Sequence, residues 1–435
     1  MSIVKREVIE NSRCGEKLVR LKHSTGLEIM IWKMESYSTF HALFGTKYGS
    51  VNTKFKLPDD KEFLTVPNGI AHYLEHKLFE NEDCPVFEQY AKTGASGNAY
   101  TTFDKTCYLF SCTDNFYESL EILLSFVQEP YFTEENVEKE RGIIAQEIKM
   151  YEDNASWRVF SNMLTAMYKS HPVKIDIPGT VESINAIDAD LLYKCYNTFY
   201  NLDNMVLSIA GNVDEDKIVG ICDRLLKPND PVSPISAFDE EPYEVNEKEI
   251  RQKLEVAVPI FYIGFKMKPL DGYERLKAEL ETDLVLALIS YEGSDFYRKY
   301  YDEGLINSTF SFDVFTGDGY FCPLFGGESR EPHRVYDVIT AEIERCKTEG
   351  LDKTSFEALK KSFYGSAIRE LNDVESAATL MLNSQMDGVS PFDEIEIIAE
   401  MTFEDVQKRL CSIDTNNAVL SIIEPKAEEE RSDEL

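Results

Sequence analysis

Residues 71–80 read AHYLEHKLFE, and the spacing inside this stretch decides how the rest of the chain is read. On a helix, at about 100° per residue, His72, Glu75 and His76 project at about 0°, 300° and 40°, all on one face. Two neutral imidazoles one turn apart can hold one zinc ion, and a carboxylate lies beside them. A helix whose histidines only face solvent is the competing reading. The chain has just six histidines, the others being His23, His41, His171 and His333.

A catalytic zinc needs a third protein ligand and an open position, so another element must contribute. Residues 133–153, TEENVEKERGIIAQEIKMYED, predict a long helix. Thr133 suits its N-cap, and Glu134 and Glu135 favour the positive end of the dipole. Val137, Ile144 and Ile148 form an apolar stripe, and Glu140 and Glu147, two turns apart, run beside it. Alone, this helix reads as an amphipathic element with solvated carboxylates. Paired with the His72/His76 helix, it predicts that Glu147 binds the metal and that Glu140 orients a ligand or water behind it.

The order H-x-x-E-H reverses the commoner H-E-x-x-H zinc-peptidase pattern. With it, the chain resembles the insulinase/pitrilysin family of zinc peptidases, in the half-length branch that includes mitochondrial processing peptidase. Within that branch it looks most like the zinc-bearing member of paired peptidases of Gram-positive bacteria. The stretches that carry the resemblance are GIAHYLEHKLFE (69–80), TGASGNAYTTFDKTCYLFS (93–111), ERGIIAQEI (140–148), HPVKIDIPGTVESI (171–184) and NMVLSIAGNVDEDKI (204–218). It spans nearly the whole chain and is tightest from about residue 40 to 215. It implies His72, His76 and Glu147 as zinc ligands, Glu75 as general base, and Glu140 as the accompanying carboxylate. It also implies that Asn98 and Ala99 touch the backbone of a peptide paired to their strand. A Gly-rich turn leading into a strand explains GASGNAY equally well.

Complete members of the family also supply an Arg and, seven residues later, a Tyr, from L-R-x-x-x-G-L-x-Y. Aligned on Gly304-Leu305, those positions hold Tyr300 and Asn307, and Arg298 is two residues out of register. The resemblance thus implies a zinc metalloendopeptidase subunit for short or unfolded peptides, completed by a paralogous half-length partner that supplies the missing pair. A homodimeric peptidase and a non-catalytic assembly protein of the same fold are the alternatives.

Proline at 228, 231, 234 and 242 marks a linker. The expected organisation is a metal-bearing domain at 1–226, a linker at 227–244 and a second domain at 245–435 that lacks the metal and ends in an acidic tail. Asn204-MVLSIA and Asn417-AVLSII close the two halves in the same way, and Ser366 stands where Glu147 stands in the first half. The fold class is therefore α+β, two duplicated domains, each a mostly antiparallel sheet backed by helices on one side.

A formal net charge of −33 argues against nucleic acid and anionic membrane as partners. With 26 Phe, 23 Tyr and two Trp there is ample material for packed cores. The nine cysteines include no C-x-x-C, and neither a secretory pattern nor a long apolar run is present. The expectation is a cytoplasmic protein with reduced thiols. SDEL at 432–435 has the form of an ER-retention tag, which means little without a signal peptide. Gly317-Asp318-Gly319 and Gly326-Gly327 read as turns rather than a phosphate loop.

Overall fold

The computed structural model describes residues 2–81, 84–228 and 230–426, so the expected acidic tail lies outside the described residues. Ten strands precede the second sheet: β1 (Ile3–Glu10), β2 (Lys17–His23), β3 (Glu28–Lys33), β4 (Phe40–Thr46), β5 (Lys54–Lys56), β6 (Leu64–Thr65), β7 (Ser96–Thr101), β8 (Thr106–Cys112), β9 (Met205–Gly211) and β10 (Ile235–Ser236). Five follow: β11 (Glu249–Leu254), β12 (Ile260–Phe265), β13 (Ser311–Gly317), β14 (Tyr320–Glu328) and β15 (Ala418–Pro425).

The apolar run MVLSIAG of β9 is buried at every position, as a strand covered on both faces must be. It lies at the middle of a seven-stranded sheet ordered β1-β2-β3-β9-β4-β8-β7, parallel to β3 and antiparallel to β4. The second sheet runs β11-β15-β12-β14-β13, with β15 parallel to β11 and antiparallel to β12. From β3 to β7 the first sheet repeats the order and directions of the second. The duplication suggested by NMVLSIA and NAVLSII is thus present as topology, in an α+β fold whose sheets are antiparallel except for one pair each. A small sheet, β10-β5-β6, accompanies the first.

The helices used below are α1 (Ile70–Leu78), α2 (Val86–Thr93), α3 (Phe116–Val127), α4 (Glu134–Asp153) and α5 (Ala155–Met167). Two compact units result. The first comprises residues up to 146, 176–237 and 367–392; the second comprises 147–175, 238–366 and 393 onward. Each unit takes a helix from the other sequence half. Within the second unit, α5 packs on β15, β12 and β11; within the first, helix Val374–Asp387 packs on β9, β4 and β3. Both are N-capped by an acceptor side chain, Asn154 on Trp157 N and Asp373 on Ser376 N. Both lie against a glycine. A Cβ on Gly264 of β12 would meet Met163 Sδ at 2.6 Å, and one on Gly45 of β4 would meet Met386 Cε at 2.8 Å.

A buried ion pair fastens the second unit internally. Lys266, 3 % exposed, donates to Glu241 Oε1 at 2.6 Å and to the carbonyls of Met167, Pro242 and Glu244. Glu241 also accepts the amides of Lys169, Ser170 and His171. Burial would raise the Glu241 carboxyl, but the Lys266 bond and the three amides outweigh it and hold the group below its usual value. Replacing Lys266 by Met leaves that carboxylate and three carbonyls without their cation. The second unit should lose about 3–5 kcal/mol, read as a lower urea midpoint. Because the folded Glu241 pKa is depressed, its contribution is full above the unfolded carboxylate pKa and disappears as pH falls through the folded value. The gap between wild type and Lys266→Met should therefore narrow in acid.

All nine cysteines are free. Among the described residues no helix is long and apolar enough to cross a membrane.

Candidate metal centre

Helix α1 begins at Gly69, whose φ of 88° a side chain would strain. A Cβ there would also lie 2.2 Å from the Pro178 carbonyl oxygen. Gly179 reciprocates, since its Cβ would approach the Asn68 carbonyl oxygen to 2.6 Å. The PGT turn of residues 178–180 and the start of α1 are thus interlocked, which sets where the histidine face begins. Ile70, Ala71, Tyr73, Leu74 and Leu78 bury the rest of the helix.

Helix α4 starts where the sequence places it. Thr133 Oγ1 accepts the Asn136 amide and Asn136 Oδ1 accepts the Thr133 amide, a reciprocal cap. Val137, Ile144 and Ile148 are buried as expected. Two side chains of α1, one turn apart, fix the register between the helices: Tyr73 Oη donates to the Val137 carbonyl and Lys77 Nζ to the Asn136 carbonyl. Lys77 is fully buried, and its charge is met by Glu80 at 2.5 Å.

That register brings Glu140 Oε1 to 2.9 Å from His76 Nδ1. If His76 Nδ1 carries the proton, Nε2 is the nitrogen presented to a metal, the usual arrangement of a carboxylate behind a ligand. Burial would raise the Glu140 carboxyl; His76, helped by Lys77 and Lys139, overcomes this and holds it below its usual value. Glu147 follows two turns later on the same unbroken helix. One donor atom each from His72, His76 and Glu147 lies within 4.8 Å of the others, the one such group of His, Cys, Asp and Glu among the described residues. Two imidazole nitrogens and one carboxylate oxygen are a donor set that fits zinc.

Among the described residues, the strand bearing Asn98 and Ala99, β7, is the edge of its sheet and pairs with β8 alone. Asn98 Oδ1 accepts the Ala99 amide at 2.9 Å. Both residues line a cavity of about 990 Å³ together with Glu75, His76 and Glu140. Phe79 and Phe87, stacked at 4.7 Å, are among its apolar lining. Two residues beyond Ala99, Thr101 donates to Glu75 Oε2 at 2.6 Å. Thr101, Tyr73 and Lys77 are specified by no motif in the sequence; strand alternation from Ala99 and the four-residue step from Tyr73 to Lys77 are the only signals that point to them.

The other histidines serve elsewhere. His23 lies 3.0 Å from Asp223, His41 bonds Ser111, His171 accepts the Val173 amide and His333 meets Glu249. Tyr300 lies on helix Asp295–Asp302, with Lys299 Nζ 3.3 Å from its hydroxyl. Asn307 is held by Thr309 and Glu328, and Arg298 folds back on the Gly293 carbonyl.

A duplicated α+β chain with a His, His, Glu cluster beside an edge strand has the architecture of a metallopeptidase. Residues 65–181 match the profile described as "Insulinase (Peptidase family M16)", and residues 186–363 match "Peptidase M16 inactive domain". The "uncharacterized zinc protease YmfH" of Bacillus subtilis is 40% identical over 92% of this chain and 94% of its own length. A putative M16-like peptidase from Alicyclobacillus acidocaldarius superposes with a TM-score of 0.90 at 31% identity, covering 98% of this chain and 99% of that one. The beta subunit of mitochondrial-processing peptidase from Caenorhabditis elegans is 31% identical over 36% of this chain and 35% of its own. The chain belongs to the insulinase family, peptidase family M16.

Proposed function

We propose that this chain is the zinc-bearing subunit of a metalloendopeptidase that cleaves short or unfolded peptides. The observation that carries the reading is the clustering of donors from His72, His76 and Glu147 beside Glu75 and an open strand edge. A zinc ion held there would polarise the scissile carbonyl and acidify the attacking water. Glu75 is the general base that removes the proton from that water and returns it to the leaving amine. Glu140 fixes His76 from behind. The peptide pairs with β7, taking over the Ala99 amide that Asn98 now caps, so recognition is chiefly of extended backbone. The stacked Phe79 and Phe87 suit an apolar side chain beside the bond to be cut.

The partner is a paralogous half-length chain that contributes the Arg/Tyr pair for the oxyanion. Tyr300 and Asn307 stand at those positions here, and Arg298 is committed to its own helix end. Ile143 and Met150, two turns apart on α4 on either side of Glu147, are 48 % and 61 % exposed, as a surface awaiting a cover would be.

Zinc analysis tests the ligand set. Wild type should hold about one zinc per chain, and His76→Ala and Glu147→Gln should lose most of it, with unchanged far-UV circular dichroism. Wild-type zinc content in either variant would refute the assignment.

A further inference from the structure

We infer that Thr101 is a positioning residue for Glu75, holding its carboxylate in place through one oxygen; this rests on the reading of Glu75 as general base. Three oxygen–oxygen contacts form a line. Thr101 Oγ1 is 2.6 Å from Glu75 Oε2 and 3.3 Å from Thr106 Oγ1, and Thr106 Oγ1 is 2.8 Å from the Tyr48 carbonyl oxygen. Only two hydroxyl hydrogens serve them. A carbonyl cannot donate, so the hydrogen of Thr106 goes to Tyr48. An ionised carboxylate cannot donate either, so the hydrogen of Thr101 goes to Glu75. The long Thr101–Thr106 contact is then left without a hydrogen, and the short outer contacts are the bonds.

The anchor is rigid. Thr106 is fully buried, and Thr101 and Thr106 are direct partners across the β7–β8 ladder. The last residue of the edge strand therefore reaches back to the carboxylate between the two histidines and fixes its plane. The proton that Glu75 takes from the attacking water, as the water oxygen bonds to the carbonyl carbon, passes to the amine nitrogen when the C–N bond breaks. Because β7 is also the strand that pairs with the peptide, Thr101 ties the position of the base to the position of the substrate.

The experiment compares Thr101→Val, Thr101→Ser and Glu75→Gln in the zinc-loaded chain with its partner present, on one unstructured peptide. Zinc content and thermal melting are measured on the same preparations. Thr101→Val should lower kcat about 10- to 100-fold, the effect of removing a hydrogen bond to a charged group, with KM within about twofold. Its zinc content and melting temperature should match wild type, and Thr101→Ser should recover most of kcat. Should the Val variant melt early, Thr101→Ala and the Ser rescue provide the same comparison. Wild-type kcat in Thr101→Val, or equal losses in the Ser and Val variants, overturns the role of Thr101 while Glu75→Gln stays inactive. Turnover by Glu75→Gln overturns instead the reading on which it rests.

Discussion

Glu75→Gln should hold one zinc per chain and hydrolyse no peptide measurably, a loss of at least about 10²–10⁴. The amide keeps the shape of the carboxylate, and its oxygen can still accept the Thr101 hydroxyl that Glu75 Oε2 accepts now. The His72, His76 and Glu147 donors are untouched, so metal content should stay at the wild-type level. What disappears is a group able to take a proton from water and return it to the amine. Zinc analysis and turnover measured on one sample separate this outcome from misfolding or metal loss. Comparable turnover by the variant would require a different base.

The cluster of His72, His76 and Glu147 was legible in part because short spacings on two helices carry it. The three-residue and four-residue steps from His72 put His72, Glu75 and His76 on one face, and the seven-residue step puts Glu140 and Glu147 on one line. Nothing in those spacings shows that the two helices meet. Their register is set by Tyr73 and Lys77 reaching backbone carbonyls of α4, contacts that the identity of the accepting residues does not encode. Thr101 was hidden for a related reason: its partner Glu75 is near in space and 26 positions away.

The repeat was legible at its buried closing strands, β9 and β15, where the covered environment keeps the residues alike. It was not legible in the exchanged helices. Met167 against Gly264 and Met386 against Gly45 perform the same packing 219 positions apart. The helices around these methionines, ASWRVFSNMLTAM and VESAATLMLNSQMD, share little else. Only volume is constrained there, so different residues fill the same space. Proline density at 228–242 predicts a linker, whereas which sheet each helix covers is a property of tertiary packing.

The second large effect concerns the division of the site between two chains. On the function proposed above, this chain offers zinc ligands, a base and a pairing strand, while the positions expected to stabilise the oxyanion hold Tyr300 and Asn307. Removing a single oxyanion donor costs about 10²–10³ in rate. The lone chain, lacking both residues of the pair, should therefore be slow by at least that factor whatever its zinc content. The partner proposed is a half-length relative that carries the Arg/Tyr pair and no H-x-x-E-H. The decisive measurement is turnover of one unstructured peptide by the zinc-loaded chain alone, by that relative alone and by their mixture, with the mixture repeated after chelation and zinc return. The expected result is a mixture at least about 100-fold faster than either chain, silenced by the chelator and restored by zinc. A lone chain as fast as the mixture, or a mixture indifferent to the chelator, would contradict a zinc site completed by a second chain.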